Sequence, residues 1–472
     1  MKRTKIVATI GPASSSPEIL KQMLYEGCNV FRINFSHGTY NDHKNVIENI
    51  RTIIAETGIN AAILADLQGP KLRVGEMENN GVELIPGNEL KITTQKCIGT
   101  AQKVYITYQQ FPQDVKPGEK VLLDDGKLVL EVISTNQQDE VITKVIQGGI
   151  LSNKKGVNLP NTKVSLPSLT EKDLQDLDFA LDNNIDWIGL SFVRSARDII
   201  ELKHIIQARK NRAKVIAKIE KPEALDNIDD IISETDGLMV ARGDLGVEIP
   251  LQNVPLIQKM LIQKCLAHAK PVIVATQMME SMITNLSPTR AEVNDVANAV
   301  FDGADAVMLS GETSVGKHPV KVIETIRKIV EEAESFEGIY FKESIPLNKK
   351  DDRFITDSIC FNATRLAQRV GAAAIITMTH SGYTAFKLSS QRPKAKIYVL
   401  TGNKHILNTL ALVWGVQGIY YDKTVSTDHT IADAKYILKK EKMLHDGDLV
   451  INIASMPIEE MGKSNMLKLS YV

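Results

Sequence analysis

Lys214-Val-Ile-Ala-Lys218-Ile-Glu220, then Gly237-Leu-Met-Val-Ala241-Arg242-Gly243-Asp244, then Pro271-Val-Ile-Val-Ala275-Thr276-Gln277: this stretch decides the fold. Each run is short, apolar and β-branched, ends abruptly in polar residues, and is separated from the next by a longer amphipathic segment. That is the pattern of βα units around a parallel sheet. Working outward, it predicts further strands at Lys5–Ile10, Val30–Asn34, Ala61–Asp66, Trp187–Phe192 and Ala306–Leu309. Eight such strands imply a closed (β/α)8 TIM barrel, whose usual size is roughly 250 residues. Asp236-Gly-Leu-Met239-Val-Ala241 and Asp305-Ala-Val-Met308-Leu-Ser310 repeat one another at Asp and Met, as related barrel strands would, and acidic Asp244 and Glu312 follow them.

Between the third and fourth strands the texture changes. Gly81–Thr94, Gly118–Ser134 and Glu140–Ile146 alternate apolar and polar residues, and Asp124-Asp125-Gly126 between two apolar runs predicts a hairpin. The expected organisation is a catalytic barrel in two pieces, 1–70 and 168–336, with an inserted all-β cap, a β-barrel, over 71–167. A charged linker, Glu343 to Asp352, leads to an open α/β domain over 350–472, with a helix from about Ile355 to Val370. Its strands are expected at Ala373–Met378, Ile397–Leu400, Leu449–Ile453 and Met466–Leu469.

Composition excludes several classes. Lys and Arg number 56 against 57 Asp and Glu, a net charge of −1, so the basic field that nucleic acids require is missing. No run approaches the ~18 apolar residues of a membrane span, and Gly11-Pro12 interrupts the N-terminal apolar stretch short of a signal peptide. The four cysteines, Cys28, Cys97, Cys265 and Cys360, are scattered, with no metal-ligand spacing, and read as reduced thiols. A cytoplasmic enzyme is the expectation.

Barrel active sites collect at the carboxyl ends of the strands. Those ends carry Arg32, Asn34, Ser36 and His37 on the second strand, Asp66 and Lys71 on the third and Lys218 and Glu220 on the fifth. The sixth brings Gly243 and Asp244, the seventh Thr276 and the eighth Ser310. Glu220 and Asp244, on adjacent strands, could share a hard cation such as Mg²⁺ while leaving positions open for water and a phosphorylated substrate. Lys218, two residues before Glu220, projects to the same side of its strand and could stabilise charge on a transferring phosphoryl group. The competing reading is a barrel-mouth ion-pair network. Gly311-Glu-Thr-Ser-Val-Gly316-Lys317-His318 matches a phosphate-binding loop except that His318 replaces the Ser/Thr hydroxyl, and the strand count makes it a barrel loop. Ser287-Pro288 reads as the N-cap and first residue of a helix.

Taken together, Lys218-Ile-Glu220, Met239-Val-Ala-Arg242-Gly-Asp244-Leu-Gly246, Ala275-Thr276-Gln-Met278 and Thr289-Arg-Ala-Glu292 closely resemble the pyruvate kinase family, and the resemblance runs the whole length of the chain. It implies transfer of the phosphoryl group of phosphoenolpyruvate to ADP, giving ATP and an enolate that is protonated to pyruvate. Carried over residue by residue, it implies that Arg32 holds the phosphate, Lys218 stabilises the transition state, and Glu220 and Asp244 ligate Mg²⁺ or Mn²⁺. Thr276 and the Gly243 backbone contact the substrate carboxylate region, and Thr276 and Ser310 are candidates for the proton relay. Asn34, His37, Arg73 and Lys155 match ADP-contacting positions, and the cap would close to exclude water.

Potassium-requiring members hold K⁺ with residues matching Asn34, Ser36, Asp66 and a threonine, and carry a glutamate a few residues on. Here the last two are Leu67 and Lys71, so the expectation is that the Lys71 ammonium replaces K⁺. Thr379-His-Ser381-Gly382-Tyr-Thr384 matches the loop that binds phosphorylated allosteric effectors. The loop from Ser455 to Lys463 is acidic where relatives activated by fructose 1,6-bisphosphate offer aromatic and basic groups, which argues for a different effector. Family members are usually homotetramers. Two other readings remain open at this point: another Mg²⁺-dependent enolate-handling barrel enzyme, which has no use for the cap or for Arg73 and Lys155, and a catalytically dead metabolite sensor.

Overall fold

A computed structural model describes residues 2–342, 344–423, 425–456 and 463–472. All eight expected barrel strands are present and form a closed parallel barrel. It closes where Lys5–Ile10 pairs with Ala306–Leu309, with Lys5 opposite Ala306. The strand ending at Leu309 is therefore the last of the barrel, and Gly311–Ser314 is a single helical turn after it rather than a phosphate loop.

The Asp-containing repeat has a structural cause, and it recurs a third time. Asp236 accepts a hydrogen bond from Val215 N–H at 3.0 Å, Asp305 from Val272 N–H at 3.1 Å, and Asp186 from Ile63 N–H at 2.7 Å. Each carboxylate sits just before its strand and ties it to the beginning of the preceding one, satisfying a backbone donor that the barrel rim would otherwise leave unpaired.

Helices on the outer ring start where the local chemistry favours it. Over Arg290–Asp302 the N-cap is Thr289, not Ser287: Thr289 Oγ1 accepts from Glu292 N–H at 3.2 Å while the Glu292 carboxylate accepts from Thr289 N–H at 2.7 Å. This reciprocal pair satisfies two free donors, which the Ser287-Pro288 reading cannot do.

The cap is built from two sheets hydrogen-bonded separately rather than from one continuous barrel. Val157–Asn158, Lys120–Leu123, Leu128–Thr135, Glu140–Gln147, Glu89–Thr93 and Lys103–Tyr105 form a six-stranded sheet in that order, and Gly149–Ser152 pairs with Gly81–Leu84. The predicted hairpin joins Lys120–Leu123 to Leu128–Thr135. Asp124, Asp125 and Gly126 all adopt positive φ (51°, 57° and 82°), the left-handed geometry that Asp and Gly tolerate best. Alternate residues, including Leu90, Ile92, Val121 and Leu130, fill a core of the cap's own.

The C-terminal domain carries a five-stranded sheet in the order Val416–Tyr420, Lys396–Thr401, Ala374–Met378, Leu449–Ala454, Met466–Tyr471, with only the last strand antiparallel. Its residues Ala411 and Leu412 join Val7, Val30, Leu64 and Trp187 in one buried cluster, so this domain plugs the N-terminal end of the barrel. Buried Arg392 locks the seam: its guanidinium reaches Gly303 O at 2.7 Å and Asp305 Oδ2 at 2.9 Å and stacks over the Trp414 ring at 4.7 Å. The opposite, C-terminal mouth is left to the cap. No helix among the described residues is long and apolar enough to cross a membrane.

Candidate active site

At the C-terminal mouth, residues from five strand ends converge on one buried carboxylate. Asp66 Oδ2 takes Arg32 Nε and Nη2, each at 2.7 Å, and Asp66 Oδ1 lies 3.1 Å from Lys218 Nζ. Lys218 also meets Glu220 Oε1 at 2.8 Å and Ser191 Oγ at 2.6 Å, and Arg32 Nη1 donates to Thr9 Oγ1 at 2.8 Å. Lys218 and Glu220 share a face because they are two apart on one strand. Arg32 and Asp66 come from neighbouring strands whose register sets Asn34 opposite Asp66.

These contacts fix the charges. Burial works against the Lys218 ammonium, but Asp66 and Glu220 outweigh it, and its proton is held more tightly than in an ordinary lysine. Burial likewise disfavours ionised Asp66 and is overcome by Lys218 and Arg32, leaving its pKa below the usual carboxylate range. Glu220 moves the other way: burial raises its pKa, Lys218 offsets this only in part, and the charge of Asp244 adds to the rise.

That asymmetry bears on a metal. Glu220 is a buried carboxylate short of compensating positive charge, and exposed Asp244 is the neighbour that makes it so. Among the described residues no cluster of three or more His, Cys, Asp or Glu is arranged to bind a metal. Two carboxylates and no more suit Mg²⁺ or Mn²⁺, which keep water and substrate oxygens as their remaining ligands. The residues present fit such a cation.

Thr276 sits in the left-handed region at φ 71°, a costly conformation for a β-branched residue, on the order of 1–3 kcal/mol. The surroundings impose it. Its Oγ1 accepts from Gly243 N–H at 2.7 Å and donates to Ala275 O at 2.6 Å, while Arg242 holds Thr276 O at 2.7 Å and is itself anchored by Asp295 at 2.7 Å. Thr276 and the Gly243 amide thus form one polar corner. Ser310 lies at the end of the eighth strand, where its N–H donates to buried Glu312 at 2.7 Å.

The predicted nucleotide residues fall into two groups. Asn34 and exposed His37 stay on the barrel rim, with Asn34 Oδ1 accepting from Ser36 N–H at 3.2 Å. Arg73 and Lys155 are brought together on the cap by the Arg73–Gly156 bridge: Arg73 donates to Lys154 O at 2.9 Å and Lys155 pairs with Asp124 at 2.9 Å. Leu67 is buried and its side chain offers no oxygen, while Lys71 is exposed on the wall of a cleft of about 70 Å³ between cap and barrel that Asp244 also lines.

Several participants escaped the sequence reading. The resemblance gives Asp66 a place only in a cation site, yet it bridges Arg32 and Lys218. Ser191 and the Phe192 N–H, which donates to Glu220 Oε2 at 2.8 Å, come from the end of the fourth strand, where a polar residue after the apolar run was the available signal. Gly69, at φ 69°, makes room for Phe192, whose ring would lie 2.7 Å from any Cβ there. Glu248 forms a contact across the cleft, accepting from Lys221 Nζ at 2.7 Å and from Asn158 Nδ2 of the cap at 2.8 Å.

In the C-terminal domain, Thr379 Oγ1 accepts from Gly382 N–H at 2.9 Å, Ser381 Oγ from Tyr383 N–H at 3.5 Å, and Thr384 Oγ1 meets Ser464 Oγ at 3.1 Å. Gly382, at φ 87°, turns the chain into the following helix. Thr379, Ser381 and Thr384 border a cavity of about 960 Å³. Most of the acidic loop between Ser455 and Lys463, at 457–462, lies outside the described residues.

Comparison with known proteins agrees with this architecture domain by domain. Residues 1–323 match the model of the pyruvate kinase barrel domain and residues 357–470 that of the pyruvate kinase alpha/beta domain. Pyruvate kinase of Geobacillus stearothermophilus is 44% identical over 474 residues, covering 100% of this chain and 80% of that protein. Pyruvate kinase of Staphylococcus aureus strain MRSA252 is 41% identical over 473 residues, covering 100% and 81%. A crystal structure of a pyruvate kinase from Cryptosporidium parvum superposes with a TM-score of 0.92 at 35% identity, covering 100% of this chain and 96% of that one. With two domain models, relatives that match this chain over its whole length and a matching structure all in agreement with the barrel, cap and C-terminal domain, the chain belongs to the pyruvate kinase family.

Proposed function

We propose that the cluster around Asp66 carries out the family's reaction, phosphoryl transfer from phosphoenolpyruvate to ADP, and that the residue roles divide as follows. Arg32 and Lys218 hold the transferring phosphoryl group. Asp66 holds both cations in place and helps to keep Lys218 charged. An oxygen of the ADP β-phosphate attacks phosphorus as its bond to the enol oxygen breaks, and Lys218 faces the charge that spreads over the equatorial oxygens. The Thr276 hydroxyl and Gly243 amide, which in this structure donate to Ala275 O and to Thr276 Oγ1, turn their hydrogens to the substrate carboxylate when it binds. The enolate carbon then takes a proton through Thr276 and Ser310, giving pyruvate. A divalent cation bound by Glu220 and Asp244 would supply Lewis-acid neutralisation of substrate oxygens. Arg73 and Lys155 bring positive charge from the cap to the nucleotide phosphates, opposite Asn34 and His37, and closure of the cap keeps water from the phosphoryl group.

The observation that carries this reading is the Arg32–Asp66–Lys218–Glu220 cluster, because a structural network has no need to confine two cations at a barrel mouth beside an undercompensated carboxylate. The domain division 1–70 with 168–336, 71–167 and 350–472 is part of the same proposal. So are a cytoplasmic setting, a homotetramer, a phosphorylated effector at Thr379, Ser381, Gly382 and Thr384, and activity without K⁺ through Lys71. The test is pyruvate formation from phosphoenolpyruvate and ADP by the purified chain with Mg²⁺, in buffers with and without K⁺. Turnover in both supports the reading. Turnover only with K⁺ removes the role of Lys71, and no turnover in either removes the reaction.

A further inference from the structure

A second basic cavity lies where the barrel's N-terminal face meets the C-terminal domain. It encloses about 380 Å³, with Arg51, Asp186, Lys210 and Arg212 on the barrel side and Lys404 and His405 on the other. In a chain whose charges nearly balance, this seam does not. Lys210, Arg212 and Lys404 form no ion pair among the described residues, none of them having a carboxylate within 4.0 Å.

Asp186, the one acid among the described residues that line the cavity, is already committed. Asp186 is 1% exposed, and its Oδ2 takes Ile63 N–H at 2.7 Å and Arg51 Nη2 at 3.0 Å. Its Oδ1 has no hydrogen-bond partner and points toward His405 Nδ1, 3.9 Å away. His405 Nε2 lies 3.0 Å from Arg212 O, a carbonyl that can only accept, so this nitrogen carries the hydrogen. Arg51 Nη1 is also buried without a partner. The seam therefore combines three cations that have no carboxylate partner among the described residues, Lys404 lying over the Tyr420 ring at 5.3 Å, with a histidine whose Nδ1 faces a buried carboxylate and unsatisfied polar atoms around a cavity of small-molecule size.

We propose that this seam binds the phosphate group of a small molecule, held by Lys210, Arg212 and Lys404, with His405 closing the inner end. The site is distinct from the Thr379–Thr384 loop, but Arg212, Lys404 and His405 also line the larger cavity beside that loop. Because the cationic wall comes from both domains, an occupant ties the C-terminal domain to the barrel rim.

Hydrogen–deuterium exchange of the full chain, with inorganic phosphate as the probe, tests this. Amides at 209–213 and 404–409 should exchange at least threefold more slowly with phosphate, and the effect should vanish in Lys210→Ala/Lys404→Ala, whose side chains are exposed and carry no ion pair. In Ser381→Ala/Thr384→Val the seam protection should persist. No protection at the seam, protection confined to 379–385 or to the barrel mouth, or undiminished protection in the lysine variant would each overturn the proposal.

Discussion

Asn158→Ala should uncouple pyruvate formation from ATP formation. Asn158 belongs to the short cap strand Val157–Asn158, and its side-chain amide donates to Glu248 Oε1 at 2.8 Å. Glu248 is buried, is held from below by Lys221 at 2.7 Å, and lies one helical turn after Asp244 on the same short helix. The contact therefore joins the cap to the segment that carries a proposed metal ligand. A hydrogen bond to a charged acceptor contributes about 1.5–3 kcal/mol. At about 1.4 kcal/mol per factor of ten, its loss shifts the closed-to-open ratio by roughly 10- to 100-fold. On the proposed assignment, an open cap would withdraw Arg73 and Lys155 from the nucleotide and admit water to the phosphoryl group.

Pyruvate and ATP should be assayed in parallel from one reaction. Wild type should give them in equal amounts; Asn158→Ala should raise the KM for ADP and release pyruvate in excess of ATP. Asn158→Asp should be worse, because it sets a second carboxylate against Glu248. Equal yields and an ADP KM within twofold of wild type in both variants would refute the reasoning.

Three further outcomes follow from other contacts. Glu220→Gln should weaken Mg²⁺ activation by about 100-fold while leaving the fold intact by circular dichroism, since it removes one of the two carboxylates proposed to hold the ion. Arg392→Met leaves Asp305 buried without its cation, which costs about 3–5 kcal/mol. In scanning calorimetry the transition of the C-terminal domain should fall by roughly 6–20 °C. Lys5, whose Nζ reaches Val416 O at 2.8 Å, has its pKa pushed down by burial to about 8, against partial opposition from Glu334 and Asp305. Between pH 8 and the ordinary lysine value the unfolded chain binds the extra proton, so stability rises with pH over that window. Relative to Lys5→Met, wild type should gain on the order of 3 kcal/mol there, and a flat or falling difference contradicts the assignment.

Much of this molecule is legible in its sequence because the barrel is built from local signals. An apolar run ending in Arg32, Asp66, Lys218 or Asp244 announces both a strand and the side of the barrel where chemistry sits, and Asp124-Asp125-Gly126 announces a hairpin through φ preferences alone. What was missed depends on pairing over distance. The strand Val416–Tyr420 is interrupted by Gly418 and exists because it adds to the edge of a sheet. Asp66 could be placed at a strand end, but its bridging of Arg32 and Lys218 needs three strands in register. Glu248 and Asn158 are ninety residues apart in sequence and meet only when the cap folds over the barrel. The start of the helix at Arg290 went to the wrong residue because Ser287-Pro288 is a plausible cap until Thr289 and Glu292 are seen bonding each other.

The central claim is that Lys218 acts on the transition state of phosphoryl transfer rather than as a structural ion-pair partner. The most direct measurement compares Lys218→Met with wild type for turnover of phosphoenolpyruvate with ADP and, separately, for equilibrium binding of phosphoenolpyruvate in the presence of Mg²⁺. Turnover should fall by about 10³-fold or more while binding stays within about tenfold. Turnover within threefold of wild type, or losses in binding that match those in turnover, would contradict it.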